Sequence, residues 1–141
     1  MDRPVSGSPH EVVNPPDLPR PSGYAHAVVA AAGRTIYLAG ETAHAADGSI
    51  PDDVAEQFDG ACAAVVGALA AAGGAPEHLV SMQIFTTDLA GYLARSKAIG
   101  EAYRRRFGRH FVATALIEVN GLVGGAKVEL MCVAVVPAGQ D

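Results

Sequence analysis

Residues 110–119, HFVATALIEV, and residues 126–136, AKVELMCVAVV, decide how the rest of the chain is read. Each segment is long enough for a β-strand, and each holds one carboxylate, Glu118 and Glu129, among apolar neighbours. An ionised group in an apolar strand is costly unless it is paired or used. Along the second segment Val128, Leu130, Cys132, Ala134 and Val136 share one side, and Met131, Val133 and Val135 the other. A strand that is apolar on both sides must be covered on both faces. The two segments are read as the floor of a site around which the remaining chain assembles.

Working back from this floor, residues 79–87 (LVSMQIFTT) alternate as a strand does, and Asp88 is placed to cap a helix running to about Phe107. Leu89, Leu93, Gly100, Tyr103 and Phe107 are expected on its inner face, and Gly108 ends it. Arg104, Arg105 and Arg106 fill its last turn, where positive charge compensates the helix dipole. Residues 53–72 form an earlier helix. Asp53 and Glu56 make a capping box, Phe58, Cys62, Val65, Val66 and Leu69 fall on one stripe, and Gly73-Gly74 supplies a left-handed stop. Before it, residues 24–32 and 35–39 are strand candidates, with Gly33-Arg34 read as the turn of a hairpin. Gly40 ends the second of these where a backbone must turn or let something approach closely. Residues 41–50 are a loop turning at Asp47-Gly48.

The order strand–strand–helix–strand–helix–strand–strand predicts an α+β fold, a mixed sheet with two helices on one face. The other face would be bare, and a homo-oligomer whose sheets pack together is the simplest cover for it. The chain of 141 residues is read as one domain over 12–137, with a disordered N-terminal arm over 1–11 and a tail over 138–141. Val12-Val13 is read as a short edge strand. The formal net charge of −5 argues against a nucleic-acid partner. Cys62 and Cys132 are expected as buried thiols in a reducing compartment. No apolar run of about 18 residues and no leader pattern is present, so a cytoplasmic protein without a membrane partner is expected.

The five histidines are scattered, without HxH or HxxxH, and there is no CxxC pair, so no metal site is expected. Phosphate-binding glycine loops and a GxSxG elbow are absent as well, and no cofactor is expected. The candidates left are Tyr24, His26, Gly40, Glu41, His44, Thr114, Glu118 and Glu129. Each has an ordinary reading: Tyr24 as a packed aromatic, His26 and His44 as plain polar residues, Thr114 as a strand former, Glu118 as a strand-end partner for a cation. Glu129, between Val128 and Leu130, fits proton transfer best.

At these residues the chain resembles the RidA family, also called the YjgF/YER057c/UK114 family of small imine and enamine deaminases. Pro21-Ser22-Gly23-Tyr24-Ala25-His26-Ala27-Val28 is similar to the family's GPYSxAV stretch, and Ile36-Tyr37-Leu38-Ala39-Gly40-Glu41 to its strand ending in SGQ. The segment 53–73, the strand ending at Asp88-Leu89, and Lys127-Val128-Glu129 complete the match. The resemblance implies a chorismate-mutase-like fold and a homotrimer whose sheets pack into a central barrel, with three sites in clefts between subunits. Within each cleft it implies roles for Tyr24, Gly40 and Glu129, the glutamate positioning or activating the water that attacks an imine carbon.

The departures from the family pattern are specific. Its PxRxxxEV stretch carries an arginine that clamps the substrate carboxylate. Here Thr114 stands in that place, Val112 replaces the proline and Leu116 a frequent cysteine. Gly100 stands for a helix asparagine and Glu41 for a usual glutamine. A larger, more neutral cleft is expected, lined by Tyr24, Gly40, Glu41, Gly100, Thr114 and Leu116, with Arg34, Lys127 or Arg109 as sources of a replacement charge. The function expected is hydrolysis of an enamine, imine or related small carbonyl-type compound, with Glu129 as the catalytic residue and 2-imino acids disfavoured. The alternatives are a non-catalytic trimer that binds a small molecule and, on the apolar surface alone, a chaperone-like module.

Overall fold

The computed structural model describes residues 7–139. Its main sheet has four strands: β3 (Gly33–Tyr37), β4 (Leu79–Thr86), β5 (Ala113–Glu118) and β6 (Val128–Pro137), and a separate ribbon pairs β1 (Glu11–Val13) with β2 (Ala27–Val29). The spatial order of the main sheet is β3-β6-β4-β5. Only β4 and β5 run parallel, as a helical crossover between them requires. The sheet is mixed and the fold is α+β, as expected.

Three helices cover one face: α1 (Val54–Ala71), α2 (Leu89–Ala94) and α3 (Ser96–Phe107). Asp53 caps α1 by accepting from the Glu56 N–H at 3.2 Å. Gly73 closes it at φ 88°, and the Gly74 N–H donates to the Leu69 carbonyl at 2.7 Å. By length and composition α1 would pass for a membrane span. It packs instead on β6 and α3, and its stripe of Phe58, Cys62, Val65 and Leu69 is buried in the core. Across from it Val128, Leu130, Cys132, Ala134 and Val136 are fully buried. Cys62 and Cys132 are free, and burial pushes the Cys132 thiol up to about 12.

Four expectations are corrected. No hairpin joins residues 24–32 to 35–39: β2 pairs with β1, while β3 pairs with β6. Gly33 is not a turn glycine. It lies inside β3, where a β-carbon would stand 2.0 Å from the Val136 carbonyl oxygen. Close backbone approach, rather than positive φ, requires glycine there. The expected single second helix breaks at Arg95, whose guanidinium is drawn to Asp53 by bonds of 3.0 and 2.9 Å. The break turns Tyr92 inward and leaves Leu93 54% exposed, against expectation.

The arm expected over 1–11 is packed where it is described, its first six residues lying outside the described range. Ser8 and His10 are buried. The His10 Nδ1 accepts from the Ala31 N–H at 3.0 Å, so Nε2 carries the proton and donates to the carbonyls of His78 and Val135. The end of the expected tail, 140–141, is likewise outside the described residues.

The second sheet face is only partly covered. Glu129, Met131, Val133 and Val135 point to it from β6, flanked by Tyr37, Phe85 and Ile117. Tyr37 is 80% exposed and Met131 41%.

Candidate functional site

A bulge brings two of the expected site residues together. The β3–β6 pairing holds to Tyr37 and Val133, and it resumes one residue out of step where Glu41 faces Leu130. The Glu41 N–H donates to the Leu130 carbonyl at 2.7 Å and the Leu130 N–H returns to Glu41 at 2.9 Å. Gly40 sits in the irregular stretch between. A β-carbon there would stand 2.8 Å from both Cδ and Oε2 of Glu129, so the carboxylate rests on the bare Cα of Gly40. Glu129 is half-buried on the open face of the sheet. Glu41 faces the opposite side, opposite Leu130, and its charge adds to the rise of the buried Cys132 thiol.

Tyr24, Gly100, Thr114 and Leu116 meet elsewhere. They line a cavity of about 720 Å³ between the helices and β5, walled also by Phe58 and Tyr92. Its β5 wall is the edge of the sheet, and Gly100 in α3 adds no side chain to it. Phe58 and Tyr92 meet edge to face at 6.1 Å. Tyr103, with its hydroxyl donating to the His110 carbonyl, backs the cavity, and burial holds its phenol protonated well above the usual range. The Thr114 hydroxyl donates to the Val112 carbonyl at 2.7 Å and retains lone pairs as acceptors. Tyr24 and Thr114 also border a second, open hollow of about 440 Å³ that includes Gln83 and Met131 on the far face. They stand at the sheet edge where the two hollows meet.

The site read from the sequence as one floor is therefore two groups of residues on one chain. Gly40 and Glu129 form one, on the open face; Tyr24, Gly100, Thr114 and Leu116 form the other, on the helix side. Glu41 joins neither. Glu118 serves the fold, since its Oε2 accepts from the Leu89 N–H at 2.7 Å and caps α2. His26 and His44 are likewise tied to the backbone, at the carbonyls of Pro19 (2.7 Å) and Gly124 (3.0 Å).

The expectation of a neutral cleft is corrected. Arg104 lines the cavity, and its guanidinium lies over Gly100. None of the three cations named as replacements lines it. The Lys127 ammonium is occupied by the Asp52 carbonyl at 2.6 Å. Sequence reading passed over Arg104 because three adjacent arginines look alike; Arg105 and Arg106 both bind Asp59, which leaves Arg104 apart.

The chain matches the family described as Endoribonuclease L-PSP over residues 18–136. Among solved structures it is similar to YyfB of Yersinia pestis, a conserved Rid family protein of unknown function, at 26% identity and a TM-score of 0.79, covering 90% of this chain and 98% of that one. A YjgF/YER057c/UK114 family member from Mycobacterium tuberculosis is 31% identical, with a TM-score of 0.59 over 81% of this chain and 87% of that one. The YjgF gene product of E. coli is 26% identical, with a TM-score of 0.65 over 89% and 98%. No curated protein sequence matches.

Proposed function

The chain belongs to the Endoribonuclease L-PSP family, the RidA or YjgF/YER057c/UK114 family, and from that premise we propose that it hydrolyses a small imine or enamine in a cleft between subunits of a homotrimer. The observation that carries the reading is the carboxylate of Glu129 held on the bare Cα of Gly40. In the reaction, water adds to the carbon of the protonated imine as the Glu129 carboxylate takes one of its protons. That proton passes to the carbinolamine nitrogen, the C–N bond breaks as the hydroxyl oxygen forms the C=O, and Glu129 takes the hydroxyl proton, leaving ammonia and the carbonyl product. Tyr24 packs against the substrate.

The separation of the two groups supports an inter-subunit site. Glu129 lies on the open, partly apolar sheet face, and that face is the surface a second copy would cover. The proposal is that Glu129 of one subunit meets the Tyr24–Thr114 sheet edge of the next. A cytosolic setting fits the two free, buried thiols. An RNA substrate is disfavoured by the formal net charge of −5.

The test is ammonia release from a panel of imines, with wild type set against Glu129→Ala and Glu129→Gln. Turnover that both variants lose supports the reading; equal rates remove Glu129 from the chemistry. A second reading, a binding protein without turnover, is favoured by one feature of the resemblance: Thr114 stands where the family pattern has its carboxylate-clamping arginine. It predicts ligands that raise Tm in a thermal-shift screen and none that is converted.

A further inference from the structure

We propose that Arg104 forms an anion subsite at the mouth of the helix-side cavity, and that the ligand there carries a carboxylate on an apolar body about the size of an aromatic ring. The proposal rests on the reading of this cavity as the substrate pocket, but not on the chemistry assigned to Glu129.

Three observations carry it. The first is the place of the guanidinium. A β-carbon on Gly100 would stand 3.3 Å from Arg104 Nη1, 3.8 Å from Nη2 and 3.9 Å from Cζ. The whole planar head therefore lies over the one cavity-lining helix position that has no side chain. The second is its lack of a protein partner. Arg95 is held by Asp53, and Arg105 and Arg106 by Asp59. Among the described residues the Arg104 guanidinium has no hydrogen-bond or ion-pair partner, although it is the arginine of the run that reaches the cavity. Dipole compensation accounts for all three arginines and does not single out this one.

The third observation is the contrast with the rest of the lining. Phe58, Ile84, Tyr92 and Ile99 are buried apolar walls, and no carboxylate lines the cavity. A guanidinium beside such walls selects a planar anion with an apolar body, since its fork of donors matches carboxylate geometry. The charge absent at Thr114 on β5 is thus supplied from α3, across the same cavity, through space left by Gly100.

The experiment is calorimetric titration of the full chain with phenylacetate and with its neutral isostere phenylacetamide. Wild type should bind phenylacetate about tenfold tighter or more, the difference expected of charge-assisted bonds. Arg104→Met should bind both with the affinity of the amide, while its circular dichroism and Tm stay those of wild type. A carboxylate preference that survives Arg104→Met overturns the proposal, as does a wild type that binds neither compound or does not distinguish them. Glu129→Gln keeps the two ideas apart. If the preference persists there, and Glu129-dependent ammonia release is never found, the subsite stands and the proposed hydrolysis falls. If ammonia release depends on Glu129 but Arg104→Met leaves the preference unchanged, only the subsite falls.

Discussion

The carboxylate of Glu129 lies against the Cα of Gly40, with Oε2 only 2.8 Å from where a β-carbon would be. Gly40→Ala therefore forces the carboxylate to move, although φ at position 40 is not in the left-handed region and the backbone itself would accept alanine. We expect ammonia release to fall about 100-fold, as for a catalytic group displaced by about 1 Å, with a stability loss of about 1–3 kcal/mol from overpacking. Steady-state rates beside urea melts check both. Unchanged rates would separate Gly40 from the placement of Glu129.

The start of β6, and so the position of Glu129, hangs on a buried amide. Gln57 in α1 is 1% exposed, donates to the Pro51 carbonyl at 2.6 Å and accepts from the Lys127 N–H at 2.8 Å. Gln57→Leu fills the same space but orphans both backbone groups. The expected cost is about 1–3 kcal/mol, read from the urea midpoint. Gln57→Glu keeps an acceptor for Lys127 but sets a buried charge against the Pro51 carbonyl, and at neutral pH it should lose at least as much.

Stability should fall on the acid side of neutrality because of His110. It is buried with Nε2 donating to the Leu79 carbonyl at 2.8 Å. Burial, the largest cause, lowers its pKa, with smaller contributions from the neighbouring His10 and His78, while the Leu79 bond and Glu77 oppose them. The folded state then binds fewer protons than the unfolded state. The contribution of His110 is complete above its ordinary value of about 6.5 and is lost as pH falls from there through the lowered folded value. Urea midpoints of wild type should drop between about pH 7 and about pH 5, more steeply than those of His110→Gln. Parallel profiles would clear His110 of the effect.

The open sheet face gives a prediction about assembly. Met131 and Tyr37 stand exposed on it, and Leu93 is exposed on the opposite, helical side. If the open face is where copies meet, Met131→Glu should yield monomers in analytical ultracentrifugation and Leu93→Glu should leave the oligomer intact. Dissociation by Leu93→Glu alone would move the interface to the helices.

Legibility in the sequence followed the range of the forces involved. The first helix could be read almost to the residue, because its cap at Asp53, its stripe and its stop at Gly73 are all local. Gly33-Arg34 looked like a turn for the same reason, whereas Gly33 actually answers to Val136 across the sheet. Arg95, where the second helix breaks, binds Asp53, 42 residues away. Neither the separation of Glu129 from Thr114 nor the isolation of Arg104 could be read from spacing. The first is set by which side of the sheet each strand presents, the second by Asp59 engaging two neighbours of a three-arginine run.

The central claim is that Glu129 of one subunit acts on a substrate seated in the cavity of another. Co-assembly of two inactive chains tests it most directly: Glu129→Gln, which keeps its cavity, and Thr114→Trp, which fills the cavity but keeps Glu129. Each alone should release no ammonia from the imine that wild type converts. Random mixing in a closed ring should restore about a quarter of the wild-type sites, and of the rate. Mixed oligomers, verified by mass, that remain as inactive as their parents would contradict the account.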